Sequence, residues 1–219
     1  MRKFSLVPLL AVISVAASDT ASMTIGRLHY AGGGDWYANP SSLPNLLSAI
    51  RTHTALNMTD REVVVELASP ELWDVPYLYM TGHGNVAFSD AEVLILRRYL
   101  ENGGFLHADD NYGMDVSFRR EIARVFPDHP LVEVPLDHPI YSIVFDFPQG
   151  LPKIHEHDGE PAQGFGIFLT GRLAVFYSYQ SDLGDGWEDP DVHDDPEALR
   201  QAALRMGVNL FVYALTSPQ

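Results

Sequence analysis

Residues 103–113, GGFLHADDNYG, decide how this chain is read. Phe105 and Leu106 open an apolar, strand-like run, and within five residues the chain reaches His107, Asp109, Asp110 and Asn111. Two adjacent carboxylates beside an apolar run are costly unless water, a cation or hydrogen-bond donors meet them. In an extended strand His107 and Asp109 share a face and Asp110 takes the other.

Upstream of this run lies a well-marked helix. Ser89 and Glu92 form a capping-box pattern, Val93, Leu96 and Leu100 follow one stripe, and Asn102-Gly103 supplies a left-handed stop. Working outward, strands are expected at 23–30, 63–67, 76–80 and 131–134 and helices at 43–56 and 116–126. The run VVVEL at 63–67 has no polar face and reads as a strand covered on both sides. Residues 167–169 and 173–179 flank Thr170-Gly171-Arg172 as a β-hairpin, and Leu199, Ala203, Met206, Leu210 and Tyr213 mark a closing helix. Residues 135–161, rich in proline, carry no clear period. Strands alternating with helices predict an α/β fold: a mainly parallel sheet with helices on both faces and a C-terminal hairpin extension. No repeat or linker divides residues 23–216, which read as one domain.

The first residues follow a different logic. Arg2 and Lys3 precede an apolar run that ends in small residues, Ala16-Ala17-Ser18. That is a secretory leader, expected over residues 1–17, which makes the mature protein periplasmic or secreted with no transmembrane segment. The formal net charge of −15 argues against nucleic acid as partner. The chain has no cysteine. Disulfides, thiolate metal sites and thiol nucleophiles are therefore excluded.

In open α/β sheets the ligand crevice lies beyond the carboxyl ends of the strands. Three successive expected strand ends carry glycine together with Asp, His or Asn: Gly32-Gly33-Gly34-Asp35-Trp36, Gly82-His83-Gly84-Asn85, and Asp109-Asp110-Asn111. Asp109 and Asp110 are expected at the rim of this crevice, or alternatively as caps of the helix near Val116. The candidate ligand-binding set is Gly33, Asp35, Trp36, Gly82, Gly84 and Asn111. Asp109, Asp110, His83 and His107 are the candidate catalytic residues, because histidine and carboxylate exchange protons near neutral pH. If residues 155–158 are extended, His155 and His157 point the same way, a spacing that suits two imidazoles on one divalent metal. The segment 181–195, SDLGDGWEDPDVHDD, is expected to be a solvated acidic loop. It fails the EF-hand pattern, because Leu183 stands where an Asp or Asn is needed.

The stretch GHGNVA at 82–87 fits G-x-G-x-x-A but follows the third strand and lacks the acidic partner, so no nucleotide cofactor is expected. No Walker A loop, H-E-x-x-H or G-x-S-x-G elbow occurs.

Read together, I-x-R-L-x-Y with G-G-x-D-W after it, M-T-G-H-G, L-x-x-Y-L-x-N-G-G-F-L-x-A-D-D and the closing G-V-N-L-x-V-Y-A-L-T resemble the bacterial domain-of-unknown-function family 4159. The resemblance implies a flavodoxin-like fold of the class I glutamine amidotransferase-like type, similar also to ThuA-like proteins. In amidotransferases a cysteine nucleophile sits after a central strand, where this chain has His107, Ala108 and Asp109. The resemblance lends no reaction. It leaves three expectations: an exported domain binding a polar small molecule or saccharide, a metal- or carboxylate/His-dependent hydrolase, or a protein partner in an envelope assembly.

Overall fold

The computed structural model describes residues 22–217. The expected leader lies outside the described residues. A seven-stranded sheet runs in the order β2-β1-β3-β4-β7-β6-β5. Its strands are β1 Gly26–Leu28, β2 Val63–Val65, β3 Tyr77–Gly82, β4 Phe105–Asp110, β5 Val132–Glu133, β6 Gln163–Leu169 and β7 Arg172–Tyr179. Strands β2, β1, β3, β4 and β7 are mutually parallel, and β6 runs antiparallel to both of its neighbours. This is the expected α/β architecture, hairpin included.

Strand β4 shows how the sequence sets the layers. Phe105 belongs to the apolar layer formed with α1 (Ser42–His53) and α6 (Glu197–Thr216), whereas Leu106 and Ala108 belong to the layer formed with α2 (Asp90–Glu101) and α3 (Asp115–Val125). Successive side chains alternate between faces, so the two cores share one strand. Helix α2 forms where its capping box predicts. Ser89 accepts from the Glu92 amide, Glu92 reaches back to the Ser89 amide, and Gly103 takes φ +98°.

Two expectations are corrected. Strand β2 is an edge strand, with Val63 and Val64 40% and 54% exposed. Three consecutive valines do not reveal position within a sheet. Nor is the segment 181–195 solvated throughout: residues 189–194 are exposed, but 181–188 are not. It folds into two short helices, α4 Leu183–Gly186 and α5 Pro190–His193, and Ser181, Asp182, Trp187 and Glu188 are buried. Trp187 donates its Nε1–H to the Ala203 carbonyl at 2.8 Å and packs on Tyr79 and His107.

Glu188 does a specific job. Ser41 makes no capping bond of its own, and Glu188 Oε1 instead accepts from the Ser41 and Ser42 amides at 2.8 and 3.1 Å. A carboxylate at a helix N-terminus satisfies orphan amides and complements the helix dipole. Glu188→Ala is therefore expected to cost about 1–3 kcal/mol in urea unfolding. A loss below 0.5 kcal/mol would show that water caps α1 equally well.

Candidate functional site

The chain leaves β1 toward β2 on one side and returns to β3 on the other, so the order reverses between β1 and β3. Ligands in such sheets bind outside the carboxyl ends at that reversal. Two glycine-rich loops meet there. Arg27 pins the first, donating to the Ala38 and Asn39 carbonyls at 2.7 and 3.1 Å. The second follows β3 through Gly82, where φ is +144° and an added Cβ would lie 2.3 Å from the Tyr30 hydroxyl.

Backbone bonds from Gly34 to Asn85 and from Ala87 to Ala31, 2.9 and 2.8 Å, join the loops, and one carboxylate adds to them. Asp35 Oδ1 accepts the His83 backbone amide, and Oδ2 lies 3.0 Å from His83 Nδ1. Burial alone would raise the Asp35 pKa. The His83 amide and ring outweigh it and hold the carboxyl below its ordinary value. The imidazole is thus oriented through Nδ1, and its side chain is 56% exposed. Around it, Gly33 has no atom within 4 Å of a would-be Cβ, and those of Gly84 and Gly113 meet only backbone at 3.8 and 3.9 Å. Three loops therefore present a bare glycine floor beside an oriented imidazole. Trp36, which follows Asp35 in the first loop, packs on His29 with ring centroids 4.3 Å apart and planes tilted by 33°.

The polar residues of β4 and its carboxyl end sit differently from expectation. Asp109 is fully buried rather than at an open rim. Leu183 and Gly184 donate backbone amides to it at 3.3 and 2.6 Å, and the Ser178 and Tyr79 hydroxyls donate as well. Burial pushes its pKa up to about 7 against the bonds from Ser178 and Gly184. Asp110 accepts the Met114 amide at 3.0 Å, so it holds the turn into α3, the capping alternative. Its pKa is raised by burial. His107 is fully buried between Tyr77 and Ser178, at 2.9 and 2.8 Å, and burial lowers its pKa to about 3. Ser178 stands between His107 and Asp109, and all three are shut from solvent. The chain of bonds is a structural strut, not an exposed nucleophile. Asn111 exchanges bonds with Asn39 at 3.4 and 3.2 Å, behind the crevice.

A second concentration lies at the carboxyl ends of β4 and β7. Residues 155–158 are not a strand, which removes the alternation expected for them. His155 and His157 nevertheless converge on Asp182 Oδ2, at 3.9 and 2.5 Å. His155 Nδ1 also lies 2.9 Å from Asp185 Oδ2, and Tyr112 stacks on His157 at 4.4 Å. Asp182 is buried, and burial and then Asp185 raise its pKa to about 7. Asn39, Tyr112, Gln180, Asp182 and Asp194 all take φ between +56° and +70°. Strained non-glycine backbone collects at functional sites. Asn39, Asp182 and Asp185 escaped sequence reading. Their one signal was the acidic density of 181–195, and Asn39 gave none.

A mainly parallel sheet of this strand order, covered on both faces and carrying its polar loops at the carboxyl edge, is a flavodoxin-like α/β domain. The family described as Domain of unknown function (DUF4159) matches residues 24–215, and the chain belongs to it. Among solved structures, a thua-like protein from Bacteroides uniformis is similar at 11% identity, over 94% of this chain and 96% of that one, with a TM-score of 0.45. No curated protein matches. Among the described residues, no helix is long and apolar enough to cross a membrane.

Proposed function

We propose that this protein is an exported binding domain that takes a polar, hydroxyl-rich small molecule, a saccharide in the first instance, at the β1/β3 crevice. The observation carrying this reading is the His83 imidazole, oriented by Asp35 through Nδ1 and the backbone amide, over a floor of exposed glycines. A glycine floor lets a ligand approach backbone groups closely. The imidazole adds a hydrogen-bonding group held in one orientation by Asp35. Trp36 follows Asp35 in the same loop and is an apolar ring of the kind sugar faces require. The absence of cysteine leaves the domain without amidotransferase chemistry. Export rests on the leader-like residues 1–17, and N-terminal sequencing of the mature protein tests it.

The binding test is calorimetric titration with neutral and N-acetylated mono- and disaccharides. His83→Ala is expected to weaken the best ligand at least tenfold with an unchanged melting temperature, because the side chain is mostly exposed. Asp35→Ala is expected to weaken it further, since it frees both the ring and the loop. Binding that survives both changes would overturn the proposal.

A further inference from the structure

The cluster beneath α5 has the chemistry of a metal centre. His155, Asp185 and His193 each offer one ligand atom, and these atoms all lie within 4.8 Å of one another. The closest pairs are His155 Nδ1 to Asp185 Oδ2 at 2.9 Å and His193 Nε2 to Asp185 Oδ2 at 3.9 Å. Ligands about 2.0–2.1 Å from a tetrahedral ion stand roughly 3.4 Å apart, so these separations bracket the requirement.

The outer partners lie close by. Asp195 Oδ2, a buried oxygen without a hydrogen-bond partner, lies 3.3 Å from His155 Nε2, the nitrogen pointing away from Asp185. Asn39 Nδ2 donates to Asp185 Oδ1 at 2.6 Å, which leaves Oδ2 for the cluster. A ligating histidine almost always gives its other nitrogen to a carboxylate or carbonyl, and ligating carboxylates are themselves hydrogen-bonded.

An independent observation points the same way. Asp182 is 1% exposed, its Oδ2 faces both His155 and His157, and its Oδ1 has no hydrogen-bond partner. A buried carboxylate oxygen without a donor is costly. Among the described residues, the ion-pair partners of Asp182, Asp185 and Asp195 are all histidines. Lys153, whose charge reaches Asp182, is itself bonded to the Glu160 carbonyl and Gln180. Among the described residues the cluster's carboxylates therefore have no lysine or arginine ion pair.

We infer that His155, Asp185 and His193 bind one divalent ion of the zinc type, with Asp182 beside it and a position left open to solvent. Two imidazoles and a carboxylate select zinc-like ions over magnesium or calcium, which prefer all-oxygen shells. His157, the partner of His155 in the sequence expectation, instead pairs with Asp182, and His193 takes its place as ligand. The ligands of this centre are not residues of the His83 site, and His83→Ala and His193→Ala tell the two readings apart.

The test uses the full protein, stripped with EDTA and titrated with Zn²⁺ by calorimetry and with Co²⁺ by visible absorption. The expected result is one ion per chain at sub-micromolar affinity and an intense tetrahedral Co²⁺ spectrum. His193→Ala, on a side chain 31% exposed, should keep the melting temperature of the stripped protein and weaken Zn²⁺ at least 100-fold. Asp195→Ala should weaken it 10–100-fold without touching a ligand. His83→Ala should leave it unchanged. No stoichiometric uptake, or uptake kept by the His155→Ala/His193→Ala double variant, would overturn the inference.

Discussion

Asp109→Ala is expected to destabilise the protein by about 3–5 kcal/mol in urea unfolding. The carboxylate receives the Leu183 and Gly184 amides and the Ser178 and Tyr79 hydroxyls, all in the interior. Removing it strands several buried donors, each costing about 1–3 kcal/mol. It also unties α4 from the sheet, and with it the wall bearing Trp187 and Glu188. A loss below 1 kcal/mol would mean that segment 181–188 is held by its apolar contacts alone.

The second large effect concerns pH. Asp109 carries a pKa of about 7 in the folded protein and His107 one of about 3, each through burial. Unfolded, the two titrate near 3.9 and 6.5. Between pH 4 and 6.5 the folded pair holds its proton on Asp109, and the unfolded pair holds its proton on His107. Folding then neither takes up nor releases a proton at these sites, and their joint contribution to stability is flat. Asp109→Asn breaks the balance. At these two sites the unfolded chain then binds one proton more than the folded one, so the stability of the variant relative to the parent rises with pH by about 1.4 kcal/mol per unit from pH 4 to 6.5. The measurement is urea unfolding of both proteins at half-unit pH steps. Equal slopes would contradict the proton assignment.

The sequence made some of this legible for local reasons. Helix α2 was readable because Ser89, Glu92, Asn102 and Gly103 each mark an end by their own chemistry. Strand β3 was readable because both faces are buried and its apolar run is nearly continuous, and β4 because Phe105-Leu106 start a run directly after the stop of α2. The crevice between β1 and β3 followed from topology, and Asp35 and His83 do meet there. What failed was decided by distant partners. The donors to Asp109 come from Leu183 and Gly184, far along the chain, so its burial left no local trace. The carboxylates of 181–195 read as solvated because charge density is a local property. That Asp182 faces His157 and Glu188 caps α1 is set only in the folded chain. The valines of β2 read as interior because a sheet edge is a fact about neighbours.

The proposed function puts a polar ligand at the carboxyl edge between β1 and β3. The most direct measurement is the ¹⁵N NMR spectrum of the full protein titrated with the tightest saccharide of the calorimetric panel. The account predicts saturable shifts at the amides of Gly33, His83, Gly84, Asn85 and Gly113, lost in Asp35→Ala. Shifts confined to other faces of the molecule, or none at millimolar ligand, would contradict it.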